Sequence, residues 1–549
     1  MKTKRTNRRL QCFNLAWFAM GMLIMTGNMQ GMEYDVRRFG ATGDGVALDS
    51  PAINAAIAAA AEAGGGTVRL PAGTYLSLSI HLKSDITLYL DSGARLLAAT
   101  PSEEIGQYDL PEPNVWGDEH KYQDFGHSHW HNSLLWGEDL DNVTIAGPGL
   151  RDGAGLLSHP SFRRGPNPIG QGNKSIALKN CRNVTLRDFS MLRGGHFALL
   201  ATGVDNLVVH NLRIDTNRDG LDIDACRNVR ISDCSINSLN DDAIVLKASY
   251  ALGKKRNCED ITITNCLVSG FDPGSMLDGT YLSTIDKAVD RDGPTGRIKI
   301  GTESNGDFRN ITISNCVFRR SRGLALESVD GGVIEDVVIS NITMVDVSNA
   351  PIFIHLGNRA RGPEGTPPGA IRRVRISGVS ASQADGRFPI ILTGLPGHPI
   401  EAVTLEGIQV ASKGGVSMED VATQPGNLVN DFFLRGDEPG VTGPRDPYAV
   451  PLREAAYPEP SMFGLLPASV LYARHVKDLT VRDLTYSLQT IDDRPLVVLK
   501  QADRVTLETV TATPSNSRNV VLRSVRQFKA YRFMGMPDRW IEVADEVCF

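Results

Sequence analysis

The sequence predicts an all-β fold: a parallel β-helix solenoid with a short N-terminal capping helix. Three observations predict it: a four-residue phrase that recurs eleven times, a further apolar residue three positions after ten of these phrases, and short steps between successive coils. Each phrase alternates two apolar residues, which point to the same face of a strand. The copies begin at Asn142, Asn183, Asn206, Asn228, Asp260, Asn310, Asp336, Arg373, Ala402, Asp478 and Arg504.

The apolar positions behind the phrases give the length of a coil. They advance by 23 residues from Phe189 to Leu212 and by 22 to Cys234, with longer steps where a coil carries a loop. A strand, a turn and an inward apolar residue at a regular period form one coil of a solenoid. The positions are Phe189, Leu212, Cys234, Cys266, Cys316, Ile342, Val379, Ile408, Leu484 and Val510.

The cysteines on this list share the inward register with aliphatic residues. We therefore expect them to be small core hydrophobes rather than disulfide partners, although an exported protein would permit disulfides. The sequence contains no Cys-x-x-Cys pair and no Cys/His spacing of the kind that binds zinc. We predict no metal and no cofactor.

Composition limits the possible partners. A length of 549 residues alone would suggest several domains, but the repeat favours one β-helix catalytic domain over residues 32–549. The net charge of −6 argues against nucleic acid as a partner. Aromatic residues make up only 6% of the chain, so the core should be aliphatic. We predict a monomer that binds a polysaccharide.

The first 31 residues are typical of a secretory signal peptide. Basic residues between Lys2 and Arg9 precede an apolar run from Phe13 to Met25. The run is short for a membrane span, although an uncleaved anchor remains the alternative. We predict a signal peptide at residues 1–31, a mature chain from about Met32, and a secreted or periplasmic bacterial protein.

Residues 32–100 should form the entry and cap of the solenoid. An Ala-rich helix is predicted from about Ser50 to Ala63, and a strand and turn over Val68–Tyr75. Such a helix would cover the open end of the first coil. Loops are predicted at 103–135, 269–296 and 357–370, with a long insertion at 411–472 packed over the rod. The coils resume at Val476 and should end near Ala512.

Acidic residues gather on coils three to five. Asp219 and Asp242 are 23 residues apart, which is one coil, so they should be neighbours on adjacent strands. Asp222 falls beside Val245 and Lys299 in the same register. Adjacent strands lie about 4.8 Å apart, so several carboxylates should crowd one face of two coils.

Crowded carboxylates raise one another's pKa, and one can stay protonated near neutral pH. A protonated and an ionised carboxyl together can hydrolyse a glycosidic bond. A solvated acidic surface and a calcium site are the alternatives. Asp219, Asp241 and Asp242 adjoin buried strands, which favours an active site. Arg297 and Lys299 follow one coil later and suit an acidic sugar such as a uronate.

The segment Asn217-Arg218-Asp219-Gly220-Leu221-Asp222-Ile223 resembles the Asn-Thr-Asp-Gly-x-Asp-Ile motif of glycoside hydrolase family 28, the polygalacturonases and rhamnogalacturonan hydrolases. Asp241-Asp242 resembles the paired aspartates of that family, and Tyr34 to Tyr75 is similar to the entry segment of the wider pectate-lyase-like superfamily. The resemblance implies a right-handed β-helix and inverting hydrolysis. It implies Asp241 as general acid, with Asp219 and Asp242 holding and deprotonating water.

Two departures from the family concern specificity. The Gly-His-Gly motif is missing, and alignment puts Gly296 where the histidine is expected. The string Arg297-Ile298-Lys299 matches the substrate-binding Arg-Ile-Lys of the family but lies one coil early. The expected coil reads Arg322 to Glu327 instead. We therefore expect an exo-galacturonidase or a rhamnogalacturonan-type hydrolase.

The remaining site predictions concern the groove. An inverting enzyme should hold its acid and base carboxyls about 6.5–9.5 Å apart. Trp130 and Trp136 could stack on sugar, with Glu327 and His355 as further groove residues. We predict that substrate binds to Asn217, Asp222, Arg297, Lys299, His196 and Glu303.

Two other functions remain open. One is a polysaccharide lyase or epimerase on the same scaffold, with Arg297 or Lys299 as base and calcium on the aspartates. The other is a non-catalytic carbohydrate-binding β-helix. Crowded aspartates one coil apart have no purpose in that last case.

Overall fold

The computed structural model describes residues 32–116, 121–122, 125–158, 170–285, 293–424, 446–515 and 519–549. The predicted signal peptide, residues 1–31, lies outside the described residues. The N-terminal part begins with a 3-10 helix after its first strand, and α1 confirms the predicted capping helix. Its elements are β1 (Glu33–Asp35), β2 (Asp44–Leu48), α1 (Ser50–Glu62), β3 (Gly66–Leu70), β4 (Gly73–Ser77), β5 (Ile80–His81), β6 (Ile86–Leu90), β7 (Ala94–Ala98), β8 (Leu135–Glu138), β9 (Asp141–Ala146) and β10 (Leu150–Asp152).

The middle coils have short strands, three to a coil. They are β11 (Lys174–Lys179), β12 (Arg182–Arg187), β13 (Ser190–Leu192), β14 (Phe197–Thr202), β15 (Asp205–His210), β16 (Arg213–Thr216), β17 (Asp219–Asp224), β18 (Arg227–Ser232), β19 (Ser235–Ser238), β20 (Ile244–Ala248), β21 (Cys258–Thr264) and β22 (Leu267–Ser269).

The later coils have longer strands that bend from one side of the solenoid to the next. They are β23 (Ile298–Ser304), β24 (Phe308–Ser321), β25 (Leu324–Ser328), β26 (Val333–Val347), β27 (Ile352–Leu356), β28 (Ala370–Ala384), β29 (Ile390–Thr393), β30 (Ile400–Gly414), β31 (Leu471–Asp492), β32 (Val497–Ser515), β33 (Val520–Tyr531) and β34 (Arg539–Cys548), with α2 (Met418–Thr423) between β30 and β31.

The strands form three columns, each a stack of parallel strands from successive coils. Column 1 starts with β1, β3 and β6, and column 2 starts with β2, β4 and β7. Column 3 carries the candidate site; it comprises β5, β8, β11, β14, β17, β20, β23, β25, β27 and β29 and continues into the first residues of β31, β32 and β33. This stacking confirms the predicted parallel β-helix.

One aliphatic core runs inside the columns from Val36 to Ala544. Cys234, Cys266 and Cys316 are buried in it with their thiols unpaired, as the register predicted. Successive residues of a strand point to opposite faces, so every second residue points into the core. The remaining residues of column 3 point outward and can form a site. In the described part of the chain, no helix is both long and apolar enough to cross a membrane.

The first residue of each phrase occupies a corner with left-handed backbone. Asn142, Asn183, Asn206 and Asn228 have φ values between 53° and 57°. Asn is among the few residues that adopt this conformation readily. Their side chains also form a ladder, in which each amide nitrogen donates to the side-chain oxygen of the preceding coil at 2.7–3.0 Å. The recurring Asn of the sequence is therefore a corner residue.

The C-terminal boundary differs from the prediction. The coils do not end near Ala512, because β33 adds a further parallel coil and β34 then pairs with it antiparallel. The predicted end was too early because the phrase of β33, Gln527-Phe528-Lys529-Ala530, has Phe and Ala at the inward positions where the other copies have Val, Ile or Leu. The four predicted loops are present between β7 and β8, β22 and β23, β27 and β28, and β30 and β31.

Candidate active site

The structure brings Asp219, Asp241 and Asp242 together. Leu221 of β17 pairs with Ile244 of β20, and the backbone nitrogen of Gly220 donates to the carbonyl of Asp242 at 3.0 Å. One carboxylate oxygen from each aspartate lies within 4.8 Å of the others, and each residue is at most 7% exposed. The predicted neighbours are thus real neighbours.

This spacing is shorter than the predicted separation of about 6.5–9.5 Å. The nearest oxygens are close because Asp219 and Asp242 lie on adjacent strands of a parallel column, while Asp241 directly precedes Asp242; the separation between the acid and base carboxyl groups stays a prediction. Strand spacing, about 4.8 Å, sets the distance between the groups. The distance between these carboxylates therefore does not indicate whether hydrolysis inverts or retains the anomeric configuration.

Burial and mutual repulsion keep a proton within the aspartates. Burial, with the charge of Asp241, raises the pKa of Asp219 from 3.8 to about 8. Arg218 forms an ion pair of 2.6 Å with Asp241. Arg297 and Lys299 lie 2.8 and 2.7 Å from Asp242. One side of the site therefore holds a carboxyl proton at neutral pH, and the other side holds a carboxylate between two cations.

Arg297 and Lys299 do not present free cations to a substrate. Both side chains are 2% exposed and directed at protein carboxylates. Burial alone would lower the pKa of Lys299, but Asp242 raises it above its usual range. In this structure the two residues are counterions of Asp242, and their direct binding of a uronate stays a prediction. The sequence register located them correctly but could not show their partners.

The long insertion supplies one of those partners. Glu459 lies 2.7 Å from Arg297 and 2.9 Å from Arg322, and it is 1% exposed. Tyr457 approaches Thr302 at 3.3 Å, and its ring lies 5.8 Å from the ammonium of Lys299. Sequence analysis missed these residues because the insertion has no register that would place them beside a particular coil.

A second buried network adjoins Asp219. Asp222 pairs with Lys247 at 2.8 Å, and Lys247 lies 3.5 Å from Glu303. His127 approaches both Lys247 and Asp222. Burial would lower the pKa of Lys247, but the carboxylates of Asp222, Glu303 and Asp219 raise it. Asp222 and Glu303 thus have protein partners in the structure, and the prediction that they bind substrate stays a prediction.

Lys247 is a residue that the sequence could have revealed. It pairs in register with Asp224 on the preceding coil, two positions beyond Asp222. The alternation of the strand therefore puts Lys247 on the outward face with the aspartates. His127 carried no such signal, because it lies in a loop far from the aspartate motifs in sequence.

Asn217 and His196 also lie at this site. The side-chain amide of Asn240 donates to Asn217, which is half-buried. His196 packs edge-on against Phe197 at 4.7 Å. Burial and the charge of Arg218 lower the pKa of His196 well below its usual range, so the ring is neutral at neutral pH. Both residues are close enough to the aspartates to remain candidates for substrate contact.

Gly296 cannot be replaced by the histidine of the family motif. Its φ is +42°, and an added Cβ would lie 2.2 Å from the carbonyl of Ser269. The departure seen in the sequence is therefore built into the backbone. Imidazole groups reach the site from His127 and His196 instead.

Trp130 does not stack on sugar. It is 2% exposed, and its indole nitrogen donates to the hydroxyl of Thr202 at 3.1 Å. It packs with Phe197 and covers Ala177 and Leu200, the outward residues of column 3 just before Asp222. The loop that carries Trp130 thus covers the groove on its N-terminal side.

The insertion covers the groove on its C-terminal side. Met462, Phe463 and Leu466 pack over Ala325 and Phe353, the outward residues of β25 and β27. His355 lies beneath this cover, 2.7 Å from the hydroxyl of Thr393, and burial lowers its pKa to about 3. His355 is therefore a structural residue. Glu327, whose pKa burial raises to about 8, faces Arg297 at the border of the site.

Comparisons with known proteins agree with this architecture. A family model described as rhamnogalacturonase A/epimerase, pectate lyase-like, matches residues 34–134, and one described as right handed beta helix region matches residues 166–271. Over these two stretches the chain is similar to pectate-lyase-like and right-handed β-helix proteins, and its aspartate motifs resemble those of the family 28 glycoside hydrolases. The predicted right hand of the helix is confirmed by the second match.

Among curated relatives, a probable polygalacturonase of Vitis vinifera is 25% identical over 321 residues, which is 56% of this chain. The chain spans 59% of the length of that relative. A mannuronan C5-epimerase of Azotobacter vinelandii is 47% identical over only 74 residues, 14% of this chain and 7% of the epimerase.

Two solved structures share the fold along most of the chain. An exopolygalacturonase of Thermotoga maritima is 17% identical, with a TM-score of 0.54 over 94% of this chain and 95% of the other. A family 28 exopolygalacturonase of Yersinia enterocolitica is also 17% identical, with a TM-score of 0.59 over 88% of this chain and 78% of the other.

Proposed function

We propose that this pectate-lyase-like protein is a glycoside hydrolase that removes sugars from the ends of galacturonate-containing pectic polysaccharide. The observation that supports it most is the cluster of Asp219, Asp241 and Asp242, which combines a retained proton with a carboxylate held by two cations. These are the acid and the base that hydrolysis of a glycosidic bond requires.

In the proposed reaction, Asp241 donates its proton to the glycosidic oxygen as the bond to the anomeric carbon breaks. A water molecule held by Asp219 and Asp242 attacks that carbon and gives its proton to Asp242. The leaving chain gains the proton that Asp241 donates. Exchange with solvent then returns a proton to Asp241 and removes the one on Asp242. Asp219 and Asp241 share the proton that is delivered, because their charges repel one another. A single displacement of this kind inverts the anomeric configuration.

The charges around Asp242 favour an acidic substrate. Arg297, Lys299 and Arg322 face Asp242 and Glu459, while the raised pKa of Glu327 keeps that carboxyl neutral at neutral pH. This group carries one more positive than negative charge. Its field attracts a uronate without a direct ion pair to either Arg297 or Lys299.

The covers on the groove support action at a chain end. Trp130 covers column 3 on one side of the aspartates, and Phe463 with its neighbours covers the other. A site confined between two covers accommodates the end of a polymer more readily than its middle. We therefore favour exo-hydrolysis of galacturonan or rhamnogalacturonan.

The test is product analysis with purified protein on homogalacturonan, rhamnogalacturonan and their oligomers. We expect release of single sugars from the first minutes with little loss of polymer viscosity, and an inverted configuration in the first-formed product. The Asp241→Asn variant is the control. An unsaturated product that absorbs ultraviolet light would instead indicate a lyase, and a change of uronate configuration without cleavage an epimerase.

We also propose that the protein is exported and acts as a monomer. The basic and apolar pattern of residues 1–31 supports export, and a polymeric substrate requires it. Mass spectrometry of the N-terminus from the periplasmic or secreted fraction should show a chain that starts near Met32. A full-length chain held in the membrane fraction would contradict the proposal.

A further inference from the structure

A cleft of about 300 Å³ lies outside the candidate active site, beside Trp136. Trp136 is on β8, directly between His81 of β5 and Ala177 of β11 in the register of column 3. Leu135 points into the core, so Trp136 points outward, on the same face as the aspartates. Three strand spacings, about 14 Å, separate it from Asp222.

Two contacts fix the orientation of the Trp136 ring. Its indole nitrogen donates to Asp109 at 2.8 Å, and His131 stacks on it with ring centroids 4.0 Å apart. Asp109 also contacts the ring nitrogen of His81 at 2.7 Å, and His131 contacts Glu138 at 2.9 Å. A ligand that binds here therefore meets a side-chain arrangement that is already ordered, which lowers the entropic cost of binding.

The cleft is separate from the active site. Ala177 and Leu200, which lie between Trp136 and Asp222 in column 3, are fully buried under Trp130 and Phe197. A sugar in the active site therefore does not extend directly along the sheet into this cleft. The loop that forms the N-terminal cover of one site contributes His131 to the other.

We propose that this cleft binds one sugar residue of a polysaccharide, as a second site that holds the protein on its polymer. Trp136, His81 and His131 offer partly exposed ring surface for the apolar face of a pyranose. Asp109 and Glu138 offer carboxylate oxygens that accept hydrogen bonds from sugar hydroxyls. Lys83 is exposed at the rim, where it can meet the carboxylate of a uronate.

The choice of a galacturonate ligand rests on the proposed function, whereas the presence of a sugar site does not. A second site of this kind should act on polymeric substrate and leave short substrates unaffected. A polymer held at Trp136 has a high effective concentration at the active site, but a disaccharide is too short to occupy both.

The test is isothermal titration calorimetry on the Asp241→Asn protein, which keeps the substrate intact. Galacturonate oligomers of defined length and short rhamnogalacturonan oligomers are the probes. We expect two bound oligomers per chain. Adding Trp136→Ala should remove one of them or weaken it about tenfold, the loss of about 1.4 kcal/mol expected for an aromatic platform.

Two further variants keep the test decisive. Trp540→Ala removes a tryptophan that is 69% exposed on β34, at the other end of the rod, and should leave both sites intact. His81→Ala changes a side chain that is 42% exposed, so it tests the cleft even if Trp136→Ala fails to fold. Unchanged binding in both His81→Ala and a folded Trp136→Ala would overturn the proposal.

Kinetics separate this inference from the proposed function. In the active protein, Trp136→Ala should raise KM for the polymer severalfold and leave kcat/KM for a disaccharide unchanged. If the wild-type protein cleaves nothing but Trp136→Ala still loses a bound oligomer, the hydrolase proposal fails and the sugar site stands. If cleavage is normal and both oligomers remain bound in the variant, the sugar site fails alone.

Discussion

The carboxylate of Glu459 lies 2.7 Å from the guanidinium of Arg297, although 162 residues separate the two in sequence. Arg297 in turn contacts Asp242 at 2.8 Å. The insertion is therefore connected to the aspartates of the candidate site through one arginine. This contact makes Glu459 a positioning residue for the proposed base.

Glu459→Gln should lower kcat about tenfold, or about 1.4 kcal/mol of barrier, with a smaller change in KM. The reason is that Arg297 loses its second carboxylate and no longer holds Asp242 in place. Glu459 also helps to raise the pKa of Glu327, so the variant should change the pH profile above neutrality. Glu459→Asp should restore part of the activity.

Glu454→Gln is the matched control, because Glu454 is an exposed acid of the same insertion. Full activity in Glu454→Gln with loss in Glu459→Gln assigns the effect to the Arg297 contact. Equal kinetics in wild type and Glu459→Gln would show that the contact has no part in catalysis.

Lys299→Met should lower kcat more than it raises KM for an acidic oligomer. The ammonium of Lys299 lies 2.7 Å from Asp242, so its loss alters the proposed base rather than a substrate contact. Steady-state kinetics on galacturonate oligomers measure the two constants. Lys477→Met, which breaks the pair with Glu401 at 3.0 Å on another column, is the control. A rise in KM alone would restore Lys299 as a direct ligand of the substrate carboxylate.

Asp241→Asn should retain the fold and lose activity by about 10²–10⁴-fold, the usual contribution of a general acid. An amide of the same shape cannot protonate the leaving oxygen. Asp219→Asn and Asp242→Asn should be similarly severe, because either change disrupts the water. Release of reducing sugar measures activity, and circular dichroism checks the fold. Near-wild-type rates in Asp241→Asn would contradict Asp241 as the acid and would make Glu303 or Glu327 the next candidate for that role.

Activity should fall as the pH rises through about 8. The acid works only while the pair of Asp219 and Asp241 keeps its proton, and the pKa of Asp219 is about 8. The loss should be reversible when the pH is lowered, with unchanged circular dichroism. A pH profile of kcat/KM that stays flat from neutral pH to well above 8 would contradict the assignment of the proton to this pair.

Asp219 should also reduce stability at neutral pH. Its pKa is about 8 in the folded state, against 3.8 for an ordinary aspartate, so the folded state binds the proton more tightly. Below pH 3.8 Asp219 is protonated in both the folded and the unfolded state, and its stabilising contribution is fully present. Between pH 3.8 and about 8 the unfolded state loses this proton while the folded state keeps it, so the free energy of unfolding falls as the pH rises. Asp219→Asn removes this titration. Its unfolding free energy relative to wild type should therefore increase across that window in denaturant titrations, and a constant difference would contradict the prediction.

Asn206→Ala should destabilise the protein by about 1–2 kcal/mol, because alanine is strained in left-handed backbone and cannot continue the ladder. Asn206 has φ of 56° and bonds to Asn183 and Asn228. Asn206→Gly relieves the backbone strain but also lacks the amide, so it separates the two contributions. Chemical denaturation measures them. Equal stability of the alanine and glycine variants would show that backbone strain does not contribute.

The repeating phrase was enough to predict the solenoid, its inward residues and the adjacency of Asp219 and Asp242. This succeeded because a coil of nearly constant length converts sequence spacing directly into position. The copy in β33, Gln527-Phe528-Lys529-Ala530, was missed because Phe and Ala replace the branched aliphatic residues at its inward positions. The C-terminal end was therefore predicted one coil too early.

The spacing of residues in the sequence was sufficient to place the acidic and basic groups on particular coils. Their partners depend on how the chain packs in three dimensions: Arg297 and Lys299 pair with Asp242, and Glu459 pairs with Arg297. Packing likewise makes Trp130 part of the cover over column 3 rather than an open groove residue. The physical reason is that a strand's register follows from local spacing, whereas a loop or insertion can fold over many coils. The ionic contacts of such a segment depend on where it packs, which its own sequence does not specify.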